Sequence, residues 1–260
     1  MCGICGIAIP ERLQRAVDQS RLTRMRDAIV HRGPDGAGMF IDGPIGFGHR
    51  RLSIVDVAHG AQPMTTDDGR STIVYNGEVF NHPSLMASLQ AEGACYHTTC
   101  DTETVLHLYA RHGRDFVQHC RGMFAIAIWD RADRTLTIAR DRFGVKPVYY
   151  TQVDGAFLFA SEIKAFKGYP GFAARMNVAG LAEYLTFQNF FTDQTLFEGV
   201  KLLPAGCYIQ VSAGREPPKP QRYWDFHFQE PEGEVDEAKA LDELDFLFQQ
   251  AVSRQMISDV

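Results

Sequence analysis

Cysteine at position 2, in the opening run Met1-Cys2-Gly3-Ile4-Cys5-Gly6-Ile7, becomes doubly reactive once the initiator methionine is removed. One residue then carries a thiol, ordinarily of pKa about 8.5, and a free α-amine of about 7.7–8.0, so each is partly in its reactive form near neutrality. A nucleophile with a built-in base is one solution to acyl transfer. Position alone supports this weakly, because many chains have a cysteine near the start. The downstream polar residues must supply the rest of such a site.

The other thiols are less suggestive. Cys2 and Cys5 form a lone C-x-x-C, and Cys95 and Cys100 bracket His97, but the second spacing is not the usual one for zinc, so no metal ligands are expected. Cys120 and Cys207 read as small core hydrophobes. A chain of 260 residues can bury a full core without staples, so its six cysteines fit a reducing compartment, and a cytoplasmic location is expected. Twenty-six basic against thirty-two acidic residues give a net charge of −6, with no basic surplus for nucleic acid or a polybasic membrane contact. The longest apolar runs, such as Met123–Trp129, fall far short of the roughly 20 residues that span a bilayer. The N-terminus lacks a basic segment followed by an apolar one, so no secretory signal is expected.

The elements that must position any site follow from periodicity. Residues 3–9 read as a short buried strand, and Leu22, Met25 and Ile29 recur at helical spacing. After the turn His31-Arg32-Gly33-Pro34-Asp35-Gly36 come β-rich stretches at about 46–55 and 72–80. Helices are predicted near 84–92 and 102–112, the second with Asp101 as N-cap, and a short helical piece over 116–122. Met123–Asp130, Thr135–Arg140, Val148–Val153 and Ala156–Ala160 read as strands, the last two joined through Asp154-Gly155. A helix over Asn177–Phe187 and a strand over Cys207–Val211 complete this part. Helices grouped between sets of antiparallel strands predict a layered α+β fold rather than alternating βαβ units. Three prolines (Pro217, Pro218, Pro220) and an acidic run (Glu230, Glu232, Glu234, Asp236) then mark a linker. Beyond it Leu241, Leu244, Phe248, Val252 and Met256 form one helical stripe.

Six segments, taken in order, resemble the class II glutamine amidotransferases, and within them most nearly the glutamine-hydrolysing asparagine synthetases. They are Cys2-Gly3-Ile4, His31–Gly36, His49-Arg50-Arg51-Leu52-Ser53-Ile54-Val55, Asn76-Gly77-Glu78, Asp101-Thr102-Glu103 and Arg140–Pro147. The resemblance covers residue 2 to about residue 210, and Pro34 is what points to the asparagine synthetase branch. It implies an N-terminal-nucleophile hydrolase fold, a four-layer αββα sandwich of two antiparallel sheets flanked by helices. It also implies three parts: a glutaminase domain over 2–212, a linker over 213–236, and over 237–260 the start of a C-terminal synthetase domain.

By the same resemblance Cys2 attacks the side-chain amide of L-glutamine while its α-amine manages the proton. Asn76 and Gly77 donate to the tetrahedral oxygen, where one donor supports the rate by about 3–4 kcal/mol. Read alone, Asn76-Gly77 is an ordinary turn. Arg51 receives the substrate carboxylate, which its guanidinium matches in two-pronged fashion. Leu52, Ile54 and Val55 line the same wall, and Asp101 with Glu78 holds the substrate ammonium. Cys5 and Cys100 depart from the family's usual residues. His31, Arg32 and His49 are expected to support the site structurally, and Asp141–Pro147 to form a charged turn bracing the site wall or the ammonia route. The chain has no glycine-rich phosphate loop, so no cofactor is expected in it, and the resemblance assigns ATP and Mg to the synthetase domain. Other expectations are a homodimer, and as alternatives the same chemistry feeding another carboxylate acceptor or a non-enzymatic thiol or zinc module built on Cys2, Cys5, Cys95, His97 and Cys100.

Overall fold

In a computed structural model, which describes residues 1–212, 219–230, 236–256 and 259, the strands run as β1 (Gly3–Ala8), β2 (Gly36–Asp42), β3 (Ile45–Arg51), β4 (Met64–Thr65), β5 (Ser71–Val79), β6 (Gly122–Asp130), β7 (Thr135–Arg140), β8 (Tyr149–Val153), β9 (Ala156–Ala160), β10 (Lys201–Leu202), β11 (Cys207–Ser212) and β12 (Gln221–Arg222). The helices are α1 (Gln19–Asp27), α2 (His82–Ala91), α3 (Asp101–His112), α4 (Phe116–His119), α5 (Val178–Phe187) and α6 (Glu237–Gln255). Among the described residues two six-stranded sheets form, ordered β10-β8-β9-β1-β3-β2 and β12-β11-β7-β6-β5-β4, with every pairing within them antiparallel.

Alternation along the central strands explains the layers. Successive side chains point to opposite faces of a sheet. In β6, Ala125, Ala127 and Trp129 join a core between the two sheets, where they meet Ile4, Phe47 and Phe159 of the first sheet. Phe124, Ile126 and Ile128 of the same strand face outward onto α3 and α4, against Val105, Leu108 and Phe116. In β1, Cys5 and Ile7 face Leu22, Met25 and Ile29 of α1 and its following turn. Both faces of each sheet are therefore covered, which is why these strands read as nearly unbroken apolar runs. The result is the αββα sandwich.

Several expectations are corrected. The stretch predicted as strand over 46–55 stops at Arg51, and 52–60 is irregular loop. The strand β2 escaped prediction because Gly36 and Gly38 interrupt its pattern. A Cβ on Gly38 would collide with the backbone of Gln62 and the ring of Pro63, so glycine is what lets that segment cross the strand. Asp101 is not the N-cap of α3. Cys100 holds that position, and the Asp101 carboxylate instead accepts from Tyr75 Oη at 2.7 Å and from the Val79 N–H at 2.9 Å. Asn76-Gly77 is not a turn, because β5 continues through both to Val79.

Within the expected linker, β12 pairs with β11, and Tyr223 donates to the Arg140 carbonyl at 2.8 Å. Pro217, Pro218, Glu232 and Glu234 lie outside the described residues. The expected helix is α6, N-capped by Asp236, and the whole stripe from Leu241 to Met256 is exposed. No helix among the described residues is long and apolar enough to cross a membrane.

Candidate active site

Cys2 immediately precedes β1, the strand paired on one side with β3 and on the other with β9. Its carbonyl accepts from Arg32 Nε at 2.9 Å, and the next residues are tied down by Ser161, whose hydroxyl accepts from the Ile4 N–H at 3.0 Å. Cys2 Sγ lies 3.4 Å from the Leu52 N–H and 3.6 Å from the Leu52 carbonyl. Burial pushes the Cys2 thiol above its ordinary pKa, while the Leu52 N–H, the terminal ammonium and Arg51 pull it down. At rest the sulfur is held as a thiol, so it needs a base to become a nucleophile.

Across the pocket, β5 carries Asn76 opposite Ala125 of β6 and Gly77 opposite Phe124. Asn76 is 1% exposed, and its side-chain nitrogen has no hydrogen-bond partner among the described residues. Leaving such a donor unmet costs about 1–3 kcal/mol, which makes it a ready donor for an incoming oxygen. Gly77 is required sterically. A Cβ there would collide with the Met123 carbonyl oxygen and come 2.6 Å from Phe124 Cα, both on the neighbouring strand.

Arg51 ends β3 and gathers the loop that follows. Its guanidinium donates to the carbonyls of Asp56 (2.6 Å), Val57 (3.0 Å) and Val55 (3.3 Å). Three of its five N–H groups are thereby used, which leaves two for an anion. The loop is anchored again through Asp56, whose carboxylate accepts from the N–H groups of His59 and Thr99, both at 2.9 Å. Its backbone N–H donates to the Asp259 carboxylate at 2.6 Å, and Asp259 N–H donates to the Ile54 carbonyl at 3.1 Å.

Asp101 is buried at the start of α3, and burial raises its pKa against the lowering effect of the Val79 and Tyr75 donors. One of its oxygens is committed to those donors, and the other meets, among the described residues, only the Cys100 thiol, at 3.6 Å. Glu78 is half-buried, with its pKa raised first by burial and then by Asp101.

All nine residues expected at the site, Cys2, Arg51, Leu52, Ile54, Val55, Asn76, Gly77, Glu78 and Asp101, line one cavity of about 160 Å³. The cavity also takes in Gln62, Thr102, Met123 and Lys146, which sequence reasoning did not single out. Gln62 accepts from the Tyr75 N–H at 2.6 Å and donates to Thr102 Oγ1 at 3.3 Å, so it links the walls. Lys146 was legible only as part of the charged turn. Asp141 organises that turn, accepting from the N–H groups of Phe124, Phe143, Val145 and Lys146.

His49 sits in the core with its pKa lowered to about 4 by burial, and its ring contacts the Tyr75 carbonyl at 3.2 Å, bridging the two sheets. His31 and Arg32 both meet the Glu162 carboxylate, at 2.9 and 3.0 Å. The thiols of a zinc reading are scattered: Cys5 is in the core, Cys95 is exposed, and His97 pairs with Asp67. Among the described residues no group of three or more His, Cys, Asp or Glu is gathered to hold a metal ion.

A family model described as a glutamine amidotransferase domain matches residues 1–224. Asparagine synthetase [glutamine-hydrolyzing] 3 of Bacillus subtilis is 38% identical over 263 residues, covering 100% of this chain and 42% of that protein. Asparagine synthetase [glutamine-hydrolyzing] 1 of the same organism is 38% identical, covering 81% of this chain and 33% of that protein. Amidase chyE of Penicillium rubens is 36% identical, covering 88% and 34%. The chain thus spans less than half the length of these relatives. In fold it is similar to the allosteric regulatory enzyme of purine biosynthesis, with a TM-score of 0.64 at 18% identity over 86% of this chain and 49% of that one. It is likewise similar to the glutamine phosphoribosylpyrophosphate amidotransferase of B. subtilis, with a TM-score of 0.62 at 19% identity over the same shares.

Proposed function

Because this chain belongs to the glutamine amidotransferase domain family, we propose that it hydrolyses the side-chain amide of L-glutamine to glutamate and ammonia, with Cys2 as nucleophile. The observation that carries this reading is the convergence of all nine expected residues on one cavity. With Met1 removed, the α-amine of Cys2 takes the thiol proton, directly or through a water, and the thiolate attacks the amide carbon. The oxygen that becomes negative is met by the Asn76 side-chain nitrogen and the backbone N–H of Gly77. The protonated amine then returns its proton to the leaving nitrogen, which departs as ammonia as the tetrahedral intermediate collapses to a thioester. Water, deprotonated by the same amine, hydrolyses the thioester and frees glutamate.

The two spare N–H groups of Arg51 suit the substrate carboxylate, and Glu78 with Asp101 the substrate ammonium. Leu52, Ile54 and Val55 form the wall between these grips and the sulfur.

The longer protein's activity is a second layer of the proposal. Its relatives named as glutamine-hydrolysing asparagine synthetases favour delivery of ammonia to an ATP-dependent amidation of aspartate. The identity to an amidase keeps a second reading in play, the same glutaminase serving another carboxylate. The described residues gather no group of acids to hold Mg, and by the resemblance ATP and Mg are assigned to a synthetase domain following the 213–236 linker, with 237–260 as its start. That domain, or a second copy in a homodimer, would cover the exposed stripe of α6, and a cytoplasmic setting suits the free thiols.

Glutamate release from glutamine, measured on chain whose intact mass shows loss of Met1, tests the reading. Cys2→Ala is expected to abolish turnover while the thermal transition stays in place. Retained turnover in that variant would remove Cys2 from the mechanism.

A further inference from the structure

Lys146 is 5% exposed, yet its ammonium forms no ion pair with a carboxylate among the described residues. The nearest acid in sequence, Asp141, spends its oxygens on backbone N–H groups, including that of Lys146 itself. The only hydrogen-bond partner of Lys146 Nζ among the described residues is the Met1 thioether sulfur, at 3.2 Å. A thioether is a weak acceptor, and it leaves with Met1. The remaining cation lines the same cavity as Cys2, Asn76 and Glu78. A buried, unpaired ammonium is costly to the fold, and such groups gather where charge serves the site.

We propose that Lys146 is a positioning residue whose unpaired ammonium keeps the Cys2 α-amine neutral, and so able to act as the base for its own thiol. This deepens the glutaminase reading and rests on it. Two ammonium groups lining one pocket repel, and the α-amine, whose ordinary pKa of about 7.7–8.0 lies below that of lysine, is the one that sheds its proton first.

The other charges around the pair are accounted for. Burial first, and then Arg32, lower the pKa of Lys146 from its ordinary value, while Glu78 from β5, Asp141 from the same turn and the Cys2 thiol favour its charged form. Around the terminal amine, Arg32 acts in the same direction as Lys146, and Cys2 and Asp35 act against them. Arg51 and Asp101 lie across the pocket and act on the sulfur with opposite sign. With Met1 still present, the terminal amine is already lowered by burial first, then by Arg32 and Lys146. Arg32 is held by the Cys2 carbonyl and Glu162, with its other terminal nitrogen unpartnered among the described residues, so it acts on the amine alongside Lys146, whose ammonium has no such anchors.

The test is kcat/KM for glutamine from about pH 5 to about pH 9, with Met1 removed, in the wild-type chain, Lys146→Met and Lys146→Arg. In the wild type the acid limb is expected below the ordinary α-amine range of about 7.7–8.0. Lys146→Met should move that limb up by about 1 pH unit, a roughly tenfold loss on its acid side, and Lys146→Arg should restore it. A wild-type limb at or above the ordinary range overturns the inference without any variant, so a Lys146→Met that fails to fold does not protect it. A lowered plateau with an unmoved limb also overturns it and leaves the glutaminase reading standing. Absence of glutaminase activity in the wild type overturns the reading beneath.

Discussion

Replacing Asn76 by alanine separates transition-state stabilisation from both binding and stability. The side-chain nitrogen is buried without a partner among the described residues, so the resting protein already bears the cost of a desolvated donor. That cost is about 1–3 kcal/mol, and Asn76→Ala removes it. The same substitution loses the packing of a short side chain between the sheets, a penalty of about 1–2 kcal/mol. The two offset, and net stability should change by less than about 1 kcal/mol, or about 2–4 °C in Tm for a domain of this size. Catalysis has no such offset. Loss of one donor to the developing oxyanion costs about 2.7–4 kcal/mol, so kcat should fall by about 10²–10³. With Arg51, Glu78 and Asp101 proposed to hold glutamine at its other end, KM should hold within a few-fold, the pattern of an interaction made only in the transition state. Steady-state glutamate release and a thermal melt on the same preparation read both quantities. A kcat within tenfold of wild type, or a large rise in KM at constant kcat, would refute the assignment of Asn76.

Gly77→Ala should fail for a different reason. Its Cβ meets the backbone of β6 rather than a movable side chain, so a loss of about 2 kcal/mol or more is expected in denaturant melts, along with glutaminase activity. His49 predicts an acid-sensitive fold. Its native pKa of about 4 lies below the ordinary 6.5, so below pH 6.5 the unfolded chain binds the extra proton and stability falls, by up to about 3 kcal/mol as pH approaches 4. His49→Gln, which keeps a donor without titrating, should flatten denaturation midpoints across that window. Midpoints that fall equally with acid in both proteins would assign the acid sensitivity elsewhere.

Much of the sandwich was legible because both faces of its central strands are buried. An unbroken run such as Met123–Trp129 in β6 announces itself wherever it is read, and Ala156–Ala160 emerged as β9 with the predicted bounds. The strand β2 was hidden by glycines that serve the neighbouring Gln62-Pro63 crossing, a need invisible along one strand. Asp101 misled in the same way. Locally it is a good cap, but the partners that claim its carboxylate, Tyr75 and Val79, lie on another element.

The sequence by itself supplied, through six ordered segments that resemble one family, the candidates for the site: a cysteine at position 2, an arginine, an amide and two carboxylates, each with one proposed task. It could do so because those segments are short and contiguous, so their residue types are legible without the fold. Only the tertiary structure decided that segments from residue 2 to residue 146 face one cavity, because facing depends on which strands pair and at what register. The same pairing decided that, among the described residues, Asn76 keeps an unmet donor, Gly77 has no room for a side chain, and Lys146 reaches Met1 without an ion-pair partner. Charge and burial become chemistry only once neighbours are fixed in space, and those neighbours are supplied by long-range packing rather than by local sequence.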